Sequence, residues 1–226
     1  MRCAMTATLI LVIVSALTAQ TPLPTYDCYY TTDRIVIDGI LNERTWQRAI
    51  AVPLALWDGS GMPKRRTTVR LAWDDKNLYI AYEVEDDDIQ CTMRTRDAHL
   101  WTEEVVEFFI DPGNDLTSYF ELEWNALGAC VDLLILDVQR RRVAGELAWD
   151  ARGMKWKVKR TNVMRGKRMR GWVLEVALPL QLMIDAPNIP PKDGDRWRMN
   201  LYRIERSDGR VEYSCWSPVL GEKPNY

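Results

Sequence analysis

The stretch "HLWTEEVVEFFIDPGND", residues 99–115, places an acid where a strand pattern calls for an apolar residue. Glu107 sits within the apolar run from Val105 to Phe109, and an indole, Trp101, lies just ahead of it among polar neighbours (Asp97, His99, Thr102, Glu103). A carboxylate held by an apolar strand has few rotamers left to lose and is therefore pre-organised to accept hydrogen bonds. The turn that follows offers Asp111, Asn114 and Asp115 as hard oxygen donors of the kind calcium takes six to eight at a time. The same Asp-Pro-Gly-Asn run is also good turn chemistry, and "EVEDDD" (83–88) offers further carboxylates.

Two more acids, Glu121 and Glu123, stand two positions apart in "YFELEW", about 6.8 Å along a strand. That separation falls in the range of a glycosidase carboxylate pair, although charges on a solvated strand face explain it as well. The chain has one histidine, His99, and no serine or cysteine in an activating setting, so nucleophilic catalysis lacks its base. A non-catalytic role is expected. Haem ligation would have to draw on His99, Met93, Met154, Met164 and Met169, none of which has a distinctive setting.

The elements that must position these groups are strands. Period-two alternation marks "TTVRLAW" (67–73), "LYIAYEVE" (78–85), "EVVEFFID" (104–111), "SYFELEWNA" (118–126), "CVDLLIL" (130–136), "KWKVKR" (155–160), "GWVLEVAL" (171–178), "RWRMNLYRIER" (196–206) and "VEYSCW" (211–216). Turn signals such as "DDKN", "DPGN", "NALG" and "SDGR" separate them. This beat predicts an all-β antiparallel sandwich in one domain, with a short helix at 43–48 and a turn or two of helix after Pro179. Trp73, Trp172 and Trp197 share the phase of Leu71, Leu174 and Met199 and are predicted to lie between the sheets; Trp46 is predicted to plug one end. Trp101 and Trp57, the latter in the turn-rich "LWDGSG", are the candidates for exposed rings.

Five segments, "IVIDGILNERTWQRA", "TTVRLAWDDKNLYIAYEVEDDDI", "LWTEEVVEFFIDPGNDLTSYFELEWNALG", "GWVLEVALP" and "YSCWSP", occur in the order and spacing of the family 9 carbohydrate-binding modules. The resemblance runs from about Arg34 to Pro218. It implies a β-sandwich with bound calcium that works on polysaccharide without cleaving it, holding sugar between two tryptophans. Trp101 matches one of the two, and Glu107 matches a glutamate that hydrogen-bonds the sugar. Chemistry agrees, since a pyranose has an apolar C–H face for an aromatic ring and hydroxyl donors for a fixed carboxylate. The second stacking tryptophan should lie shortly after "WSP", where only Tyr226 offers a ring. A sugar-contacting arginine of the family falls at Glu121, and without the family's last strand an edge of the sheet is expected to lie open. A module of the same fold that has lost sugar binding is the alternative.

The bounds fit a secreted protein. Arg2 and the apolar run from Thr6 to Ala19, about 14 residues, read as a signal peptide over residues 1–20, too short for the roughly 20 of a membrane-spanning helix. The remaining domain, 21–226, is expected to act outside the cytoplasm or in a periplasm, as a monomer, on a poly- or oligosaccharide, and not on nucleic acid. Lys and Arg number 30 against 32 Asp and Glu, so nothing selects a general polyanion ligand. With Cys3 removed, Cys28, Cys91, Cys130 and Cys215 permit disulfides in three connectivities.

Overall fold

The computed structural model describes residues 22–136, 149–164 and 167–219. Both the proposed signal peptide and Tyr226 lie outside these residues. Within them the alternating segments become strands β1 (Tyr29–Tyr30), β2 (Val52–Pro53), β3 (Ala55–Leu56), β4 (Thr67–Trp73), β5 (Asn77–Glu85) and β6 (Val105–Asp111). They continue as β7 (Tyr119–Trp124), β8 (Cys130–Ile135), β9 (Lys155–Met164), β10 (Lys167–Pro179), β11 (Arg198–Glu205) and β12 (Glu212–Cys215). One helix, α1 (Arg44–Arg48), and 3-10 turns at Leu100–Thr102 and Leu180–Leu182 complete the list of regular elements among the described residues.

These strands form two six-stranded sheets, one ordered β1-β4-β5-β10-β9 with β2 also on β4, the other ordered β3-β12-β11-β6-β7-β8. Pairing is antiparallel throughout except for the two-residue β1, which runs parallel to β4. Alternation explains the layering. Val69, Leu71, Ile80, Tyr82, Val84, Leu174 and Val176 of the first sheet meet Val106, Phe108, Ile110, Phe120, Leu122, Trp124 and Leu201 of the second. Each such side chain taken fully out of water contributes about 1.5–3 kcal/mol.

At one end the two sheets are tied by Arg203, which is 2 % exposed. Its guanidinium donates to the Glu85 carbonyl (2.9 Å), Thr67 Oγ1 (3.2 Å) and the Arg65 carbonyl (3.3 Å), and it pairs with Glu205 and Asp86. Burial pulls its pKa down to about 10, against the pull of Asp86 and Glu104.

Trp172 is buried in the core as its phase predicts, while Trp73 and Trp197 lie half-buried at its margin. Trp46 does not plug an end of the sandwich. It packs on the outer face of the first sheet with Ala72, Tyr79, Ala81 and Ala177, because the segment before β2 lies across that face. Its indole Nε1 donates to Glu175 Oε1 (3.0 Å), and the amides of Asp38 and Gly39 donate to Glu175 Oε2 (3.0 and 2.9 Å). Cys28, Cys91, Cys130 and Cys215 are all free thiols, so no disulfide among the described residues contributes to the fold.

Candidate functional site

The outer face of the second sheet carries the residues singled out by type and spacing. Register places Cys215, Tyr202, Glu107, Glu123 and Val131 in one cross-strand row, and Asn200, Phe109, Glu121 and Leu133 in the next. Residues directly opposite on paired strands point the same way. Glu107, Glu121 and Glu123 therefore share a face, and it is the face turned away from the interlayer core.

Glu107 and Glu123 are completely buried; neither carboxylate oxygen of Glu107 has a hydrogen-bond partner, and the Glu121 carboxyl and the Trp101 amide stand near Glu123. Glu121, one row over, is only partly buried and opens outward. Burial raises the pKa of Glu107 well above the ordinary carboxyl range, and the neighbouring charges of Glu123 and Glu121 add to the effect. Burial likewise pushes Glu123 up to about 9, with Glu121 adding and the Trp101 amide opposing, and Glu121 up to about 7. Among the described residues no lysine or arginine forms an ion pair with any of the three.

Aromatic rings frame the acids. Phe109 lies 5.3 Å from the Tyr202 ring, edge to face, and 5.9 Å from the Tyr119 ring. Trp101 sits on the 3-10 turn that enters β6, half-buried against a cluster of Leu100, Val105, Val131, Leu133, Ile135 and Ile204 on this same face. The His99 ring stacks on it at 4.6 Å and 25°. Side-chain bonds hold the turn in place. Glu103 accepts from the amides of Thr92 (2.7 Å) and Met93 (3.1 Å), and Arg206 donates to the carbonyls of Glu103 (3.3 Å) and Trp101 (3.4 Å).

The structure thus brings Trp101 and Glu107 to one face, with Glu107 sealed beneath it rather than lining an open hollow. Trp57 is half-buried one residue past β3, its amide bonded to the Tyr213 carbonyl at 3.1 Å. Three strand spacings, about 14 Å, separate β3 from β6, so Trp57 stands at the far side of the sheet from Glu107.

The turn acids are occupied by their own backbone. Asp111 Oδ2 accepts from the Leu116 amide (3.0 Å) and Asp115 Oδ1 from the Thr117 amide (2.7 Å), while Asn114 adopts a left-handed φ of 54°. Another acidic group was not legible as a set in the sequence. Asp86, Glu104 and Glu205 are all buried and bring ligand oxygens within 4.8 Å of one another, three residues beyond Trp101 in the case of Glu104. Asp86 Oδ2 has no hydrogen-bond partner and lies 3.7 Å from Arg203, which also pairs with Glu205, while Glu104 accepts from the amides of Gln90 (2.7 Å) and Arg206 (3.0 Å).

Comparisons with known proteins agree with this architecture. A Bacteroides uniformis protein described as a candidate carbohydrate-binding protein superposes with a TM-score of 0.70 over 91% of this chain and 94% of its own, at 17% identity. Family 9 carbohydrate-binding modules of Caldicellulosiruptor kristjanssonii, solved with cellotriose and with glucose, superpose with TM-scores of 0.57 and 0.56 at 16% and 18% identity. They cover 84% and 86% of this chain, and 83% and 90% of the modules. In sequence, 86 residues are 31% identical to the exoglucanase XynX of Acetivibrio thermocellus, 38% of this chain but only 7% of that enzyme's length. An "Extracellular protein" of Arthroderma benhamiae is 25% identical over 179 residues, 70% of this chain and 76% of its own length. The family model for carbohydrate-binding family 9 matches residues 38–226. This protein belongs to carbohydrate-binding family 9.

Proposed function

We propose that the outer face of the second sheet is a non-catalytic saccharide-binding surface of a secreted protein that acts as a single domain. The observation that carries the reading is the placement of Trp101, partly exposed, on the same face as the glutamate row. Trp101 stacks a pyranose ring. Glu121, the partly open acid, receives the first hydroxyls, and Glu107 and Glu123 act from behind it. The complexes of the Caldicellulosiruptor modules support a saccharide ligand, and the fungal relative's description supports an extracellular setting. No helix among the described residues is long and apolar enough to cross a membrane.

One ring face that removes about 80 Å² of apolar surface from water contributes roughly 2 kcal/mol. A millimolar complex needs about 4 kcal/mol, so the carboxylates must supply a comparable share through hydrogen bonds. A structural calcium ion fits the buried trio Asp86, Glu104 and Glu205 better than the turn at Asp111, because the trio brings three carboxylate oxygens within 4.8 Å of one another and Asp86 Oδ2 accepts no hydrogen bond. Bound there, calcium would supply positive charge to the buried acids beside the Trp101 turn.

The sealed position of Glu107 favours a second reading, a module of this fold that no longer binds sugar. Affinity electrophoresis of the full chain through gels containing soluble polysaccharides separates the two. Retardation that disappears in Trp101→Ala supports the binding face; no retardation by any polysaccharide, or equal retardation of both proteins, rejects it.

A further inference from the structure

Three acids on one face, two of them sealed and none facing a cation among the described residues, are an unusual surface to offer a neutral sugar. Glu107 and Glu123 stand opposite each other on β6 and β7, both oxygens of the fully buried Glu107 lack hydrogen-bond partners, and Glu121 leads from them toward solvent. A buried charge with no counter-charge is strongly disfavoured, so such a site favours a proton or an incoming cation. The aromatic frame points in the same direction, since the faces of Trp101, Phe109, Tyr119 and Tyr202 attract cations as well as sugar C–H groups. Divalent metal is a poorer match. Among the described residues only Asp86, Glu104 and Glu205 gather their oxygens closely enough to share one ion. Glu121 and Glu123 stand side by side on β7 with Glu107 opposite on β6, and Glu121 is the one of the three that reaches solvent.

We propose that this face selects saccharides bearing a free amino group, a 2-amino-2-deoxyhexose unit carrying an ammonium, as in a deacetylated chitin-type polymer. The inference rests on the saccharide-binding reading given above and specifies its ligand class. The ammonium sits at Glu121, where its charge is felt by Glu123 and Glu107 behind, while the pyranose face lies on Trp101. The contact is a charge-assisted hydrogen bond, of the stronger kind. Binding the ammonium favours the ionised form of Glu121 while Glu107 and Glu123 behind it keep their protons, a gain that a neutral sugar does not offer.

The test uses the full chain in calorimetric titrations with three tetrasaccharides: β-1,4-linked glucosamine, its N-acetylated counterpart and cellotetraose, at a pH where the free amine is protonated. The expected result is binding of the deacetylated ligand at least about ten-fold tighter than either neutral ligand, a preference that weakens with added salt. Glu121→Gln is expected to remove that preference while leaving weak neutral-sugar binding dependent on Trp101. Glu107→Gln is a second variant in the sealed position, and thermal melts of each variant report whether it is folded. Neutral ligands bound as tightly as the amino sugar, with loss in Trp101→Ala, would overturn this inference and leave the saccharide-binding surface standing. Poly-lysine bound as tightly as the amino sugar, unaffected by Trp101→Ala, would overturn it as general polycation attraction. Failure of all three sugars to bind removes the underlying reading with it.

Discussion

Glu107 on β6 and Glu123 on β7 face each other across a strand pair, both wholly buried and neither paired with a cation among the described residues. Such a pair stores a dependence on pH. Its folded pKa values are raised by burial, Glu123 to about 9, whereas in the unfolded chain a glutamate titrates near its ordinary value of about 4.3. The folded protein therefore holds more protons than the unfolded chain between those limits. Stability is full below the ordinary range and falls as pH rises through about 9. Urea unfolding at pH 5, 7 and 9 is expected to show this decline, and Glu123→Gln, which cannot ionise, is expected to flatten it. An equal slope in the variant would show that the decline arises elsewhere.

The ring at the margin makes a separate prediction. Trp101→Ala is expected to lower saccharide affinity by about 2 kcal/mol, close to 30-fold, through loss of stacked apolar area. Loss of the half-buried indole leaves the core between the sheets intact, so circular dichroism is expected to be unchanged.

Calcium is expected to raise the midpoint of thermal unfolding and chelation to lower it. A ligand present at about 100 times its dissociation constant stabilises by roughly 2.7 kcal/mol. The response is expected to vanish in Glu104→Gln and to persist in Asp115→Asn, measured by differential scanning calorimetry with and without chelator. Persistence in Glu104→Gln with loss in Asp115→Asn would move the ion to the turn.

The Trp46–Glu175 tie is expected to matter to stability rather than to binding. Burial raises Glu175 to about 7 despite its three donors. Trp46→Phe keeps much of the apolar contact and removes one donor, with an expected cost of about 1–3 kcal/mol in urea unfolding. Saccharide affinity is expected to stay unchanged, since Trp46 lies on the opposite sheet.

The thiols are expected to be inert in the folded state. Burial raises Cys28 to about 12 and Cys215 to about 11, and Cys130 and Cys91 also move up. The thiolate is the reactive form, so labelling with a disulfide reagent at pH 8 is expected to be slow until denaturant is added. A reductant is expected to leave the melting midpoint unchanged.

Strand alternation was enough to read the sandwich from sequence, because each face meets one environment along most of the length of β4 to β11. It also put Val106, Phe108 and Ile110 on one side and Glu107 on the other. Alternation does not say what covers the outward side. Glu107 is sealed because the outer face of the second sheet carries its own apolar cluster, with Leu100, Val131 and Ile204 packed together on it. Trp46 lies away from the predicted end for a related reason, since the chain before β2 lies across the first sheet instead of capping an end. Asp86, Glu104 and Glu205 come from three separate segments, and only the fold makes them neighbours. Arg203 shares the inward phase of Leu201 and ties the two sheets, a role that the strand pattern alone does not single out.

Gly39 has a left-handed φ of 77°, and a Cβ there would come within 2.8 Å of Lys159 Cβ on β9. The amide of that same residue reaches the Glu175 carboxylate. A side chain at position 39 would lift the segment off the sheet and strip two main-chain donors from the acid at once. The "DG" pair thus acts as a clasp between the chain's beginning and its tenth strand, and a fault in it would be felt as a loosened flank more than a hundred residues further along.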